Sequence, residues 1–468
     1  MTGFEAKVSE LKSAGGFFSC SKPVYVSRAP GRLDLMGGNV DYTGGLVFEA
    51  TIREATWAAV QRRDDGLVCF WNPQMKGEGW EDRVDFDLAS LSSDQAVRRA
   101  ANQSPSTRWT AYVLGIFPLL GRKYPDKAKS GVNVYIESDV PLNKGVSSSA
   151  AIEVAVMKAS AAAYGIPLAG VELAELCQWT ENVIAESACG VMDQAASILG
   201  DEGCVLPLLC QPCAPQPLVR LPDGLRAWGI DSGVRHAVSG IEYEAARAAA
   251  FVGYAMICDR ERLPLVVDDR GRIARFRDPR WDGYISNIPP SVFRSQFEAH
   301  LPESLSGSAL EAMARPHIDP YTTIRPEARY PIRAATRYAV EENHRIELFV
   351  ELAKLPPADH GGKAFRLMGD LMFQSHWSYT ECGLGCEATD QLVELVRDEL
   401  PRGRLFGAKI TGGGGGGTIA VLGTEDAEDA VERVVEKYAE ARKCDPYVFD
   451  GSSMGADRFG IRVVGSES

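Results

Sequence analysis

The sequence predicts an α+β fold that is divided into two lobes. The chain has 468 residues, which is more than one small hydrophobic core usually organises and which suits two domains. Runs typical of β-strands alternate with segments of helical periodicity in both halves of the chain. A run of glycines at 412–417 separates two short apolar runs, as the turn between two strands does. We place the first domain at 1–225 and the second at 226–468, with a cleft between them.

The predicted elements follow from residue type and spacing. Predicted strands are rich in β-branched and aromatic residues between Gly or Pro turns, and lie at 24–27, 47–50, 57–61, 132–137, 409–410 and 418–422. Predicted helices carry apolar residues at helical spacing, and lie at 147–163, 171–185 and 427–443. The segment 284–332 is rich in Pro, Ser and Arg and is predicted to be irregular.

The charge of the chain limits its partners. A net charge of −13 excludes broad attraction to nucleic acid or anionic lipid, because such binding needs basic patches. Residues 1–19 lack the apolar core of a signal peptide, and no uncharged apolar run reaches about 18 residues. We therefore expect a cytoplasmic protein whose partners are small molecules, with no nucleic acid and no membrane. The oligomeric state is left open.

The cysteines are interpreted as reduced thiols. There are 11 of them, an odd number, scattered from Cys20 to Cys444, which argues against a disulfide framework. Cys210 and Cys213 have a metal-like spacing, but they lack a second pair and a nearby histidine. A zinc site is therefore not predicted.

A serine-rich segment, PLNKGVSSSAA at 141–151, stands where a predicted strand gives way to a predicted helix. Free N–H groups at a helix N-terminus and consecutive hydroxyls are suited to hold phosphate oxygens, and to offer one oxygen to Mg²⁺. The segment lacks the spacing of a P-loop, G-x-x-x-x-G-K-[ST]. Taken alone, it is better interpreted as a plain serine N-cap on a core helix.

Three further segments change that interpretation. They are RAPGRLDLMGGNVDY at 28–42, CGVMDQ at 189–194 and KITGGGGGGT at 409–418. With the serine-rich segment they resemble the motifs of the GHMP kinase superfamily, in the order and approximate spacing of that family. The resemblance implies a two-lobed GHMP kinase fold with the active site in the cleft between the N- and C-terminal domains, and ATP and Mg²⁺ as cofactors.

Within the superfamily, the chain is most similar to the galactokinase branch. The pattern R-A-P-G-R-x-x-x-x-G-x-x-x-D-Y resembles its sugar-binding signature, and C-G-x-M-D-Q resembles its catalytic one. WGIDSGVRH at 228–236, SHWSY at 375–379 and MGGN at 36–39 look like the kinase part of plant L-arabinokinases. The resemblance implies a kinase that phosphorylates the anomeric hydroxyl of a galacto-configured sugar.

The resemblance also implies the catalytic residues. Asp193 is similar to the catalytic aspartate of galactokinases, and Arg32 to the arginine opposite it. A carboxylate beside the anomeric hydroxyl accepts or orients its proton, and a guanidinium keeps that carboxylate ionised and offsets phosphoryl charge. An ordinary buried ion pair is the alternative.

Binding residues are implied in the same way. Ser148 resembles the serine that ligates Mg²⁺ and Glu181 the acidic ligand on the following helix, although a plain helix-surface carboxylate is the alternative for Glu181. The implied ATP-binding residues are Lys144, Gly145, Val146, Ser147, Ser148, Ser149, Ala150, Gly413 and Gly414. The implied sugar-binding residues are Gly38, Asn39, Asp41, Gly190 and Tyr243. By composition alone, the glycine run is equally a flexible linker.

The identity of the sugar depends on a departure from galactokinases. They have Glu-His where this chain has Gly38 and Asn39, and that pair helps to hold the C6 hydroxyl of galactose. L-Arabinose has the ring stereochemistry of galactose but no C6 group, so it needs no partner there, and it is the predicted substrate. Galactose itself stays an alternative, and so does a C6-modified or extended sugar, such as a galacto-configured octose or galacturonate, which would fill the vacated volume.

Two other classes of protein compete with this prediction. A galactokinase-like sugar sensor without turnover would have a disrupted serine motif, whereas Arg32, Asp193 and the three serines are all present. GHMP kinases for mevalonate, homoserine or diphosphocytidyl-methylerythritol would lack the sugar motif at 28–42. Both alternatives are therefore less favoured than an active sugar kinase.

Overall fold

The computed structural model of the chain describes residues 3–234, 240–267, 274–313, 318–356 and 362–465. A large and a smaller β-sheet with packed helices confirm the predicted α+β class. In chain order the strands are β1 Val24–Met36, β2 Leu46–Arg62, β3 Leu67–Trp71, β4 Arg83–Asp87, β5 Val132–Ser138, β6 Val205–Leu209, β7 Ala214–Pro215, β8 Leu225–Asp231, β9 Leu265–Val267, β10 Ala274–Phe276, β11 Leu305–Ser306, β12 Arg329–Tyr330, β13 Leu405–Ile410, β14 Thr418–Thr424, β15 Val448–Asp450 and β16 Arg462–Val464.

Most of the α-helices were not predicted from the sequence patterns. In chain order they are α1 Gly3–Ala14, α2 Asp94–Ala101, α3 Ala111–Leu114, α4 Ile116–Lys123, α5 Ser148–Ala163, α6 Gly170–Thr180, α7 Met192–Leu199, α8 Ile241–Arg260, α9 Pro290–Val292, α10 Gly307–Ala312, α11 Ile332–Ala353, α12 Gly362–Glu381, α13 Glu387–Glu399, α14 Glu428–Arg442 and α15 Ala456–Phe459. A π-helical turn, Glu181–Ala185, continues α6, and a second lies at Phe293–Phe297. No helix in the described ranges is long and apolar enough to cross a membrane.

The first sheet is organised around two long antiparallel strands. Its order is β16-β1-β2-β5-β3-β4, with β6 paired to β2 and β7 paired to β6. β1 and β2 pair from Tyr25 opposite Val60 to Met36 opposite Phe48, so the predicted runs 47–50 and 57–61 belong to a single strand. The Ala-rich helix α5 packs against both strands and is buried almost all round, as expected of a helix that is apolar on every face.

The second sheet is antiparallel and has the order β13-β14-β8-β15. The glycine run turns the chain from β13 to β14, where Ile410 pairs with Ile419, and α14 follows as predicted. Helices α12 and α13 pack against β13. The apolar core of this region includes Trp228, Val393 and Val421.

The chain crosses between the two sheets more than once. It enters the second sheet at β8 and returns at its end, where Val464 pairs with Val24 of β1. We propose the division into 1–225 and 226–468 as the two lobes, with this last strand completing the first sheet. Within 284–332, the described residues form only short helices, short strands and irregular chain. Residues 235–239, which include part of the motif at 228–236, lie outside the described ranges.

Candidate active site

Arg32 and Asp193 come from different sequence motifs and form a direct ion pair. Arg32 Nε donates to Asp193 Oδ1 at 2.9 Å, and Nη2 lies 2.7 Å from the same oxygen. Arg32 is on β1 and 2% exposed, whereas the Asp193 side chain, in the first turn of α7, is 19% exposed. Burial by itself lowers the pKa of Arg32, but neighbouring acidic groups, Asp193 foremost, outweigh it and raise that pKa above its usual value. A fixed cation therefore holds an accessible carboxylate.

The same arginine is anchored to the serine-rich segment. Arg32 Nη1 donates to the carbonyl of Gly145 at 2.7 Å, and its backbone N–H donates to the carbonyl of Val146 at 3.1 Å. Gly31 has no room for a side chain, since a Cβ atom there would lie 2.5 Å from the Val146 carbonyl oxygen. The ion pair and the start of α5 are therefore held as one rigid unit.

The serine-rich segment has the backbone of an anion-binding turn. Asn143, Gly145 and Ser147 have positive φ angles of 59°, 72° and 60°, and α5 begins at Ser148. Within the part of the chain that the structure describes, Ser147 makes no capping hydrogen bond, and its Oγ is buried without a hydrogen-bond partner. The structure therefore does not support the plain N-cap interpretation. Free N–H groups at the start of a 16-residue helix and an unpartnered hydroxyl are the donors that a phosphate needs.

The glycine run backs directly onto this turn. A Cβ atom on Gly412 would lie 2.7 Å from the Gly145 carbonyl oxygen, and one on Gly417 would lie 2.8 Å from the Lys144 carbonyl oxygen. Both glycines have positive φ, and Thr418 Oγ1 donates to Lys144 O at 2.7 Å. The run is therefore a tight turn that admits only glycine at these contacts, rather than a flexible linker.

The remaining predicted ATP-binding residues lie around the same turn. Lys144 Nζ lies 2.6 Å from Asp231 Oδ2, on β8 of the second sheet. Gly413 is half-buried, and Gly414 is packed against Leu384, whose carbonyl oxygen would lie 2.5 Å from an added Cβ. Ala150 is fully buried in the first turn of α5. The structure thus brings every predicted ATP-binding residue to the junction of the two sheets.

Glu181 lies at the π-helical turn after α6, in contact with the first turn of α5. Gln194 Nε2 donates to its Oε2 at 2.7 Å, and the Ser149 hydroxyl lies close to the carboxylate. Burial and the nearby Asp193 raise the pKa of Glu181 to about 7. The same Gln194 amide donates to Glu153 Oε2 at 3.1 Å, and burial together with Glu181 raises the pKa of Glu153 well above its usual range. Glu181 is 4% exposed, so it is not a plain helix-surface carboxylate.

The predicted sugar residues converge on Asp41. Its carboxylate accepts from the backbone N–H groups of Tyr42 and Met192, and it packs on Gly190, where an added Cβ would overlap it at 1.8 Å. Burial, and then the charge of Asp193, raise the pKa of Asp41 to about 7. Gly190 lies two residues before α7 begins at Met192. Only glycine fits at position 190, because the Asp41 carboxylate occupies the space of a side chain.

Asn39 and Tyr243 are two further predicted sugar-binding residues. Asn39 is 4% exposed, and its Nδ2 has no hydrogen-bond partner among the residues that the structure describes. Tyr243, in the first turn of α8, is half-buried, and its ring meets that of Tyr42 edge-on at 6.1 Å between centroids. An unpartnered amide donor and a buried carboxylate acceptor next to each other suit the hydroxyl groups of a sugar.

Gly38 faces two tyrosines that the sequence motifs did not assign to the site. A Cβ atom on Gly38 would lie 2.9 Å from the Tyr338 hydroxyl and 2.9 Å from Tyr379 Cε2. Tyr338 comes from α11 and Tyr379 from α12, and their rings meet at 5.4 Å between centroids. Tyr379 belongs to the segment 375–379 already noted, whereas Tyr338 has no motif around it.

Other residues of the site were also missed. Glu49 and Asp34 lie behind Arg32, Lys409 pairs with Asp34, and Arg247 of α8 lies over the Tyr42 ring at 4.7 Å. Asp34 and Lys409 stand inside recognised motifs, so a search for charges at buried strand positions would have found them. Glu49 stands in a strand without any motif, and only the pairing of β1 with β2 reveals it.

Comparison with known proteins identifies the class of protein to which this arrangement belongs. The profile of the GHMP kinases N terminal domain matches residues 111–201, the galactokinase galactose-binding signature matches 17–62, and the GHMP kinases C terminal profile matches 349–441. Galactokinase from Chloroflexus aggregans is 31% identical over 89% of this chain and 88% of its own length. The chain therefore belongs to the GHMP kinase family.

Within that family the relatives are sugar kinases. L-Arabinokinase from Arabidopsis thaliana is 35% identical over 97% of this chain and 48% of its own length, so the chain spans about half of that relative. A crystal structure of Lactococcus lactis galactokinase complexed with galactose superposes with a TM-score of 0.74 at 19% identity, covering 97% of this chain and 99% of that one. A mevalonate kinase shares the fold with a TM-score of 0.53 at 14% identity, over 92% of this chain and 99% of that one. The protein is a sugar kinase of the galactokinase and L-arabinokinase type, with ATP as its phosphoryl donor.

Proposed function

We propose that this kinase transfers the γ-phosphoryl group of ATP to the anomeric hydroxyl of L-arabinose, giving L-arabinose 1-phosphate. The observation that carries this choice is the contact of Gly38 with Tyr338 and Tyr379. From the resemblance to galactokinases we expect the C6 end of a hexose to lie beside position 38. We infer that tyrosine rings fill that end of the sugar site instead of leaving it vacant.

Both tyrosines are held in place, so they form a fixed wall. Tyr338 is 3% exposed and its hydroxyl donates to the Gly37 carbonyl at 2.9 Å. Tyr379 is 1% exposed and donates to the carbonyl of Gly412. Moving either ring would break a buried hydrogen bond and open a cavity, which costs several kcal/mol, about 3–5 for a large aromatic. This wall supports a pentose and disfavours the octose and galacturonate alternatives.

The ring hydroxyls have candidate partners on the opposite side. We propose that Asp41 accepts hydrogen bonds from two neighbouring hydroxyls, that Asn39 Nδ2 and Tyr243 donate to hydroxyl oxygens of the sugar, and that Gly190 lets the sugar approach the Asp41 loop. Asp41 and the unpartnered Asn39 amide support these roles, because buried polar groups of this kind need partners. A pentose of galactose stereochemistry offers these hydroxyls without a C6 group.

The proposed chemistry rests on Asp193 and Arg32. The Asp193 carboxylate orients the anomeric hydroxyl and accepts its proton as the oxygen attacks phosphorus, and the bond from the γ-phosphorus to the bridging oxygen breaks, releasing ADP. Arg32 holds Asp193 in place through its two N–H contacts and offsets charge on the transferring group. We propose that the serine-rich turn and the glycine run hold the phosphates of ATP between them.

The residues around Glu181 fit a Mg²⁺ ion. Hard oxygen donors are present in the Ser149 hydroxyl and the Glu181 carboxylate, and burial of Glu181 and Glu153 disfavours their ionised forms, a cost that a divalent cation would offset. The contact to Glu181 comes from Ser149, so we propose Ser149 and Glu181 as the ligands, with Ser148 in the phosphate turn. Bound Mg²⁺ would supply charge neutralisation for the phosphate oxygens.

Analysis of the reaction product tests this function. The chain is incubated with L-arabinose, ATP and Mg²⁺, and the product is examined by phosphorus and carbon NMR. Coupling between phosphorus and the anomeric carbon, with ADP formed in equal amount, is the expected result. Phosphate on any other hydroxyl, or the absence of a sugar phosphate, would contradict the proposal.

A further inference from the structure

A second layer of buried charge lies behind the Arg32–Asp193 pair. Glu49 of β2 stands directly opposite Asp34 of β1 in the antiparallel register. Residues opposite each other in such a pair project from the same face, with their Cβ atoms about 4.5–5.5 Å apart. Both side chains are 0% exposed. Two carboxyl groups therefore face each other in the interior, next to the catalytic arginine.

Hydrogen-bond donors are scarce around this carboxyl pair. Asp34 Oδ2 lies 2.7 Å from Lys409 Nζ, but Asp34 Oδ1 has no hydrogen-bond partner among the described residues. Glu49 Oε2 lies 3.3 Å from Arg32 Nε, yet neither Glu49 oxygen accepts a hydrogen bond from the described part of the chain. The reason is that the single Nε–H of Arg32 is directed to Asp193. An ionised Glu49 would therefore be buried almost without solvation.

The count of charges in this cluster also indicates that one carboxyl group holds a proton. Arg32 and Lys409 supply two buried cations, whereas Asp34, Glu49 and Asp193 supply three carboxyl groups. One proton on the facing pair makes the cluster neutral. Two carboxyls that share a confined site do not both ionise, because their repulsion in a low dielectric is too large.

We propose that Glu49 is a positioning residue of the catalytic pair: it carries a proton and supports Arg32 from behind without competing with Asp193 for the guanidinium. This inference rests on the proposed roles of Arg32 and Asp193. Loss of that proton would leave a second carboxylate beside Nε, draw the arginine away from Asp193 and slow phosphoryl transfer. Displacement of a catalytic group in this way commonly lowers the rate about tenfold to a hundredfold.

The groups that face Glu49 agree with this assignment. Burial, followed by the charge of Asp34, raises the pKa of Glu49 well above its usual range, and Asp193 acts in the same direction from α7. Arg32 on β1 and Lys409 on β13 act against the rise. The Cys210 thiol, just beyond β6, is also influenced by Glu49 and carries a raised pKa of its own, chiefly through burial.

Kinetics of two substitutions test the positioning role. We expect Glu49→Ala to lower kcat about tenfold or more with a much smaller change in KM, and Glu49→Gln to recover most of that loss, because the amide keeps the volume of a neutral carboxyl. In the wild type, kcat should decline on the alkaline side, where the pair loses its proton, and Glu49→Gln should lack that decline. Superimposable pH profiles for the wild type and Glu49→Gln would overturn the proposal.

Infrared spectroscopy tests the proton on Glu49 without any substrate. At neutral pH the wild type should show carbonyl absorption from protonated carboxyls, among them Glu49 and Glu153. The difference spectrum between the wild type and Glu49→Gln should therefore contain one lost protonated-carboxyl band. Glu399→Gln is a matched control, because Glu399 is 1% exposed and held by Arg402, Arg433 and Lys437, none of which belongs to this cluster; it should leave this absorption and the pH profile of kcat unchanged. A difference spectrum without a lost band in Glu49→Gln would refute the proton on Glu49 even if the sugar proved to be another one.

Discussion

The ring of Tyr379 lies against the backbone of Gly38, where an added Cβ atom would be only 2.9 Å from Cε2. The hydroxyl of the same side chain donates to the carbonyl of Gly412, in the glycine run that backs onto the phosphate turn. One tyrosine therefore contacts both the sugar motif and the proposed ATP site. This ring occupies the space that a side chain at position 38 would take. The shape of the proposed sugar site is therefore set jointly by α12 and the residues that follow β1.

Opening that wall should admit a hexose. We expect Tyr338→Ala to raise kcat/KM for D-galactose relative to L-arabinose by about tenfold or more, since the ring that would collide with a C6 group is removed. The measurement is the ratio of the two kcat/KM values, taken at low temperature because the cavity also destabilises the fold. Tyr338→Phe keeps the ring and loses only the hydrogen bond to Gly37, so its ratio should stay near that of the wild type. An unchanged ratio in folded Tyr338→Ala would mean that this wall does not select the sugar.

Removal of the Asp193 carboxylate should separate binding from turnover. We expect Asp193→Ala to lower kcat at least about a hundredfold, the usual contribution of a positioned acid–base group, while sugar binding stays measurable by calorimetry. Arg32 would retain its contact with Gly145, so the phosphate turn should keep its shape. Turnover within tenfold of the wild type would remove Asp193 from the catalytic role.

Because Asp41 is buried, kcat/KM for the sugar should fall at acidic pH. Its pKa is raised to about 7 by burial and by Asp193, so in the free enzyme the carboxylate is present above that pH and protonated below it. We expect kcat/KM for the sugar to fall about tenfold per unit below about pH 7, because a protonated carboxyl accepts fewer hydrogen bonds. A flat profile between about pH 5 and about pH 8 would contradict a binding role for Asp41.

The same shift has a consequence for stability. A raised folded-state pKa means that the contribution of Asp41 to stability is present at low pH and is lost as the pH rises through about 7. Asp41→Asn should therefore raise Tm by about 2–4 °C near pH 8, with a smaller gain near pH 5. Differential scanning calorimetry at the two pH values measures this. An equal gain at both would show that burial of the charge is not the cause.

Two neighbouring serines provide a matched test of the metal ligand. We expect Ser149→Ala to weaken the apparent affinity for Mg²⁺ about tenfold, because its hydroxyl contacts Glu181. Ser148→Ala, which alters the phosphate turn, should act mainly on KM for ATP. Initial rates at fixed ATP with varied Mg²⁺ distinguish the two. A larger loss of Mg²⁺ affinity in Ser148→Ala would restore the ligand that the sequence resemblance implied.

The sequence predicted those parts of the fold and site that have a local signal. The glycine run, the serine-rich turn and the helix after it follow from residue type alone, and the motifs supplied Arg32 and Asp193 as a pair. The strands at 47–50 and 57–61 were separated because Thr51 to Thr56 interrupts the apolar run with charges, although β2 continues through it. Local patterns detect apolar periodicity, and a strand paired on both sides tolerates polar residues within it.

Other parts of the site depend on contacts between distant segments, which a local pattern does not contain. Tyr338 and Tyr379 are brought to Gly38 by two helices about 300 residues further along the chain, and neither helix was predicted. Glu49 becomes significant only through its register with Asp34. A buried carboxyl in a strand looks like an ordinary polar position until the opposite residue is known. Specificity and charge balance therefore required the three-dimensional structure.

The most direct test of the central claim is the comparison of kcat/KM for L-arabinose with that for D-galactose, D-galacturonate, L-fucose and a C6-extended galactose, at saturating ATP and Mg²⁺. Release of ADP is followed for each sugar under the same conditions. We expect L-arabinose to be preferred over D-galactose by at least about tenfold, with the extended sugar the poorest substrate, because the tyrosine wall closes the C6 end. A preference for the extended sugar would contradict the account of the wall, and no turnover with any of the sugars would contradict the assignment as an active kinase of this sugar class.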